Sequence, residues 1–123
     1  LINSNLFNKV GKFNEKYFLF YEEIDLCKKI KKLNFSIILC NRSFAYHNIG
    51  SSSENDFITL FIKSYNIEKS TLIYYNVKNF NLAQIWKLIK YSFRTLTYLL
   101  ILNFRKSLIN FAKFFAILSY IFK

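Results

Sequence analysis

At 123 residues the chain has the length of one modest domain or a piece of a larger one, and two glycines with no proline are too few for a self-contained, turn-rich domain. Its net charge of +11 is uneven: residues 82–123 hold seven Lys/Arg and no acid, which leaves +4 for residues 1–81. Two cysteines, Cys27 and Cys40, lack the close spacing of a metal pair, which argues against a cysteine-framed site or scaffold and predicts buried thiols in a reducing compartment.

The chain opens on Leu1 and contains no methionine, which favours a piece of a longer protein. Its first residues predict a short helix: Leu6, Phe7 and Val10 fall at helical spacing, and Gly11 suits a left-handed C-terminal cap. Phe13-Asn14-Glu15 then turns the chain into an aromatic run, Tyr17-Phe18-Leu19-Phe20-Tyr21, that drives directly into Glu22, Glu23 and Asp25. Burying apolar groups is favourable and burying charge is costly, so this juxtaposition marks a candidate site.

Residues 22–33 have a helical pattern. Leu26, Cys27, Ile30 and Leu33 share one face, and Lys28, Lys29, Lys31 and Lys32 occupy the other. Extended backwards, the same wheel places Glu23 on the inward face, one turn ahead of Cys27, and turns Glu22 and Asp25 away. Acids at the start and lysines toward the end suit the helix dipole, which accounts for Glu22 as a solvated cap. A Glu on the apolar face needs a partner or a task.

Ser36, Ile37, Ile38, Leu39 and Cys40 form a short apolar run that predicts a buried strand. Residues 42–47 alternate loosely, Phe44 and Tyr46 against Ala45 and His47, and predict a second one. His47 is the only histidine; an imidazole is a common metal ligand, although a lone histidine is more often structural. Residues 48–56 are a polar loop, the one clear break in the chain.

Residues 57–80 return to helix, with Leu72, Tyr75 and Asn79 on one stripe and Ile73, Val77 and Phe80 beside it. From Leu82 onward nearly everything is apolar, aromatic or basic. Lys90, Arg94 and Arg105 follow Lys87 at offsets of three, seven and eighteen, on one side of a helix. The longest uncharged run in this tail, residues 95–104, is ten residues, whereas a spanning helix needs roughly 20. A helix lying in the membrane interface fits better, and at about 1 kcal/mol per cation near an anionic leaflet the tail would gain several kcal/mol. The competing reading is a pair of packing helices in a larger protein. Nucleic acid is a poor candidate partner, because the cations sit on a strongly apolar tail without a recognised binding motif.

Gly11-Lys12-Phe13-Asn14-Glu15, the stretch from Tyr17 to Cys27, Tyr46-His47 and Ser51 together resemble the C-terminal half of family 2 glycosyltransferases. The branch they most resemble is the rhamnosyltransferase-like enzymes of bacterial surface polysaccharide synthesis. The resemblance is concentrated over residues 1–53 and diffuse beyond; Tyr74-Tyr75-Asn76-Val77-Lys78-Asn79 resembles a weaker element that usually ends in Arg-Asn. It implies an α/β, GT-A nucleotide-sugar transferase fold. Residues 1–53 would be the C-terminal part of its catalytic domain, 54–81 a loop and helix, and 82–123 a basic, membrane-associating helical tail.

In such inverting enzymes the second acid of a Glu-Asp pair is the catalytic base. It aligns with Glu23, the first acid with Glu22, and the following acid, orienting or structural, with Asp25. His47 matches a histidine that in some members completes the coordination of a divalent metal, Mg or Mn, and Lys78 stands where an Arg would contact phosphate. Two features depart from the pattern. Glu replaces Asp at the base position, moving the carboxylate out by about one methylene, and a misplacement on the order of 1 Å can cost about a hundredfold in rate. Lys12 and Asn14 replace the second Gly and the Asp of a Gly-Gly-Phe-Asp-Glu pattern.

The implied function is that of a fragment of an inverting glycosyltransferase, inactive alone because the donor-binding half with its Asp-x-Asp motif is missing. The complete enzyme would move a sugar from a nucleotide-sugar donor to a saccharide or lipid-linked acceptor. It would be held peripherally at the cytoplasmic face of the inner (plasma) membrane. The alternative is a non-enzymatic cationic protein that binds a membrane surface, with the acidic cluster only a helix cap.

Overall fold

Asn and Asp side chains set where four of the five helices begin. In a computed structural model, which describes residues 2–46, 56–77 and 80–122, these helices are α1 (Ser4–Lys9), α2 (Glu22–Lys32), α3 (Phe57–Tyr74), α4 (Leu82–Leu100) and α5 (Phe104–Ile121). Asn3, Asp56, Asn81 and Asn103 each accept a hydrogen bond from a first-turn amide of α1, α3, α4 and α5, satisfying donors that the helix itself leaves free. α2 has no such cap. It starts from Tyr21, which with Phe20 holds a left-handed backbone (φ +72° and +66°).

The α/β GT-A expectation is overturned: the described residues are helical, with no strand among them. The apolar run at 36–40 has no regular structure and no strand partner among the described residues, and Ile38 and Leu39 are 85% and 87% exposed. A strand requires a neighbour to take up its N–H and C=O groups. Apolar composition alone does not supply one, and residues 36–46 form only a turn in which the Ser43 amide donates to the Cys40 carbonyl at 3.3 Å. The second predicted strand fails for the same reason over its described residues 42–46.

The core lies where α5 packs on both α3 and α4. Leu72, Tyr91 and Ile117, one from each helix, meet at its centre, with Leu88, Phe114 and Tyr120 around them. Ala112 and Ala116 on α5 are fully buried, and such small side chains let helix axes approach closely. The α4–α5 turn bends at Leu102 (φ +55°), where neither glycine nor proline marks a break. The Ser107 hydroxyl then donates to the Thr95 carbonyl across the hairpin at 3.0 Å. Because of this turn Arg105 lies on α5, apart from Lys90 and Arg94.

α3 is buried on two opposite sides. Ser64, Glu68 and Leu72 recur every four residues toward α4 and α5, while Asn66 and Ser70 face the other way. On the first side Glu68, 5% exposed, accepts from Lys87 Nζ at 2.6 Å and from the Tyr91 hydroxyl at 2.9 Å. On the second, the Ser70 hydroxyl donates to the Leu19 carbonyl at 2.7 Å and ties the aromatic run to α3.

Two predictions follow from these local constraints. Gly11 (φ +79°) and Lys12 (φ +58°) both occupy the left-handed region, which penalises a side chain with a Cβ. Lys12→Gly is expected to raise stability by about 0.5–1 kcal/mol, the left-handed penalty less the entropy that glycine loses on folding, read from the midpoint of urea unfolding. Burial, and then the Glu68 carboxylate, push the Tyr91 hydroxyl well above its ordinary value of 10.0. The folded chain therefore holds this proton more tightly than the unfolded chain, and the contribution is complete below pH 10 and lost as pH rises above it. Stability should fall there by up to about 1.4 kcal/mol per pH unit from this group, and Tyr91→Phe should flatten that part of the profile.

Candidate functional site

The turn before α2 carries the site-forming residues to the end of α3. Asn14 Oδ1 accepts from the Lys16 amide at 3.1 Å, and the Tyr17 amide donates to the Asn14 carbonyl at 3.1 Å, so the aromatic run leaves a tight local turn. An Asn makes this turn as well as an Asp does, which gives the departure at Asn14 a structural account. Tyr21 packs its ring on Tyr74, with centroids 5.2 Å apart, and Lys28 Nζ sits 4.5 Å from the centroid of the same Tyr74 ring.

Between the 14–17 turn, the start of α2 and the ends of α3 and α5 lies a cleft of about 650 Å³. Asn14, Glu15, Lys16, Tyr17 and Asp25 line one side; Lys69, Tyr74, Asn76, Ser119 and Tyr120 line the other. Carboxylates, amides and hydroxyls alternate with aromatic rings, a lining that can hydrogen-bond a polyhydroxylated ligand and cover its apolar faces. Tyr17 is buried, and burial first, then the Asp25 carboxylate, raises its hydroxyl above the ordinary tyrosine range. A second groove, of about 620 Å³, runs along the other side of α2 past Cys27, Lys28, Lys31, Lys32 and Tyr74. Its cations would favour an anionic ligand.

The three acids separate differently from the wheel. Asp25 lines the cleft and pairs with Lys29 Nζ at 3.1 Å. Glu22 is half-buried, with Oε2 shielded from solvent and accepting no hydrogen bond among the described residues. Glu23 is exposed and lines neither cavity. The buried side of α2 is thus rotated toward Glu22, Leu26, Lys29 and Ile30, because the left-handed pair Phe20–Tyr21 and the Tyr21–Tyr74 contact fix how the helix enters, which a wheel of apolar residues does not contain. His47, Ser51 and Lys78 lie outside the described residues.

Sequence reasoning missed Lys69, Ser119 and Tyr120, which reach the cleft only because α3 and α5 pack together. The motif around Tyr74 and Asn76 was the available signal, and Asn76 (φ +51°) makes the left-handed turn that ends α3. The cysteines also differ from expectation: Cys40 is exposed and Cys27 half-buried. A hydrogen bond from the Ser43 hydroxyl, 3.2 Å from Sγ, followed by the Arg42 amide, lowers the Cys40 thiol below its ordinary value. Iodoacetamide at neutral pH is accordingly expected to alkylate Cys40 before Cys27, and peptide mass spectrometry at early times would show the order.

No family model matches the chain, and no solved structure matches it. Over 48 residues it is 35% identical to the low-salt glycan biosynthesis hexosyltransferase of Haloferax volcanii. Those residues make up 39% of this chain, and the chain spans about 16% of the length of that curated relative. Over that stretch the chain is similar to a glycosyltransferase.

Proposed function

We propose that the chain is part of an inverting glycosyltransferase, of the family 2 kind, that moves a sugar from a nucleotide-sugar donor to a saccharide or lipid-linked acceptor. The observation that carries this reading is the 35% identity over 48 residues to a hexosyltransferase. The polar and aromatic cleft beside Asp25 supports it, since carboxylate, amide and ring surfaces are what a saccharide needs.

In this reading Glu23 is the base. It stands exposed in the first turn of α2, open to an acceptor hydroxyl docked against that end of the helix. It takes the hydroxyl proton while the oxygen forms a bond to the anomeric carbon, and the bond to the nucleotide diphosphate breaks with its electron pair leaving on the phosphate oxygen. In the same reading Asp25, paired with Lys29 one turn on, is the orienting acid, and Glu22 is the first acid of the pair, on the half-buried side of the helix. Lys78 contacts phosphate in the same reading. A Mg or Mn ion with His47 among its ligands enters by resemblance alone. Among the described residues no three His, Cys, Asp or Glu side chains converge to hold a cation.

The test uses the complete gene product and follows nucleoside diphosphate release from nucleotide-sugar donors in the presence of saccharide acceptors. Glu23→Gln is expected to lower kcat by about 10²–10⁴-fold with the donor KM unchanged, Glu23→Asp to retain turnover, and Asp25→Asn to lower it less than Glu23→Gln. Undiminished turnover in Glu23→Gln would remove Glu23 from the chemistry. Absence of transfer by the parent protein with every donor would return the acidic cluster to the role of a helix cap.

A further inference from the structure

α4 buries one side and leaves another uncovered. Gln84 and Tyr91 face the core, while Ile85, Trp86, Ile89, Phe93, Leu96 and Leu100 are exposed, Trp86 and Phe93 at 70% each and Leu100 at 84%. At 100° per residue these six fall within an arc of about 100°, and from Ile85 to Leu100 the strip runs about 22 Å along the helix. It runs on into the hairpin tip, where Ile101 and Leu102 are 62% and 72% exposed. An uncovered apolar face of this extent marks an interaction surface.

We propose that this face of α4 lies flat in the surface of an anionic lipid bilayer. Charge and chemistry choose the occupant. Lys90 is exposed beside one edge of the strip and Arg94 further round on the same side, and residues 82–123 contain no acid at all, so this flank complements anionic headgroups. The six side chains offer no hydrogen-bonding group apart from the Trp86 indole N–H, which suits a non-directional hydrocarbon boundary and places an amphipathic ring at headgroup level. No helix among the described residues is long and apolar enough to cross a membrane, so the contact is interfacial. Lys87, which the sequence spacing places in the same basic row, takes no part, since it turns inward to Glu68. This inference stands apart from sugar transfer and needs neither donor nor acceptor.

Trp86 is the only tryptophan, so its emission reports on this face directly. The full chain is titrated with vesicles of phosphatidylcholine and phosphatidylglycerol at three to one, and with phosphatidylcholine alone, at low ionic strength. The anionic vesicles are expected to shift Trp86 emission to the blue, and brominated acyl chains to quench it. Lys90→Ala with Arg94→Ala should weaken binding on the order of thirtyfold. Ile89→Asp with Phe93→Asp should weaken it by more than about a hundredfold; both side chains are exposed, and an unchanged far-ultraviolet circular dichroism spectrum would confirm an intact fold. An emission that vesicles leave unchanged would overturn the proposal, as would undiminished binding by Ile89→Asp with Phe93→Asp. A blue shift that instead follows protein concentration without lipid would also overturn it and assign the face to a second copy of the chain.

Discussion

A carboxylate enclosed between helices has to be paired, and the position of α4 depends on how Glu68 meets that requirement. Its two oxygens divide between the Lys87 ammonium and the Tyr91 hydroxyl, both on α4 and four residues apart, one turn of the helix. An unpaired buried charge costs several kcal/mol, so α4 cannot rotate far without losing both contacts. That fixes which side of α4 faces inward, and with it which side is left to solvent. The uncovered apolar strip is therefore the geometric complement of the ion pair that joins α4 to the buried Glu68 of α3. The same contact removes Lys87 from the row of surface cations.

The opposite side of α3 holds the candidate site through a weaker set of ties. The Ser70 hydroxyl donates to the Leu19 carbonyl, and Tyr74 packs at a tilt against Tyr21 while lining both cavities beside α2. One helix thus joins a helical core on one face to a polar cleft on the other. Three buried polar residues of α3, which look misplaced in an apolar segment, are accounted for by these contacts: Glu68 binds α4, Ser70 binds the aromatic run, and Asn66 donates to the Ile62 carbonyl of its own helix.

Most helical stretches were legible in the sequence because their signals are local: apolar spacing and a glycine after α1. The strands were not, because a five-residue apolar run reads equally as a strand, a core segment or an exposed stretch until its partners are known. The inward placement of Glu23 failed for a related reason. A wheel ranks faces by apolar content, whereas α2 is oriented by a left-handed aromatic turn and by a ring on α3. The break at Leu102 was invisible, since leucine carries no preference for the conformation that it adopts there. Of the site, the sequence marked Asn14, Glu15, Tyr17, Asp25, Tyr74 and Asn76, all within its motifs. The residues supplied by α5 required the packed structure.

The short turn between α4 and α5 also has a consequence for the order in which the chain acquires its shape. Three residues close that hairpin, so its contacts join positions near in sequence, whereas α3 must close a much longer loop to reach α5. Closure entropy grows with the logarithm of loop length, by about 0.6 kcal/mol per doubling. Local contacts also form faster than distant ones. The hairpin is thus the natural nucleus on which α3 docks, and the cleft, which needs α3, α5 and the N-terminal turn together, is completed last.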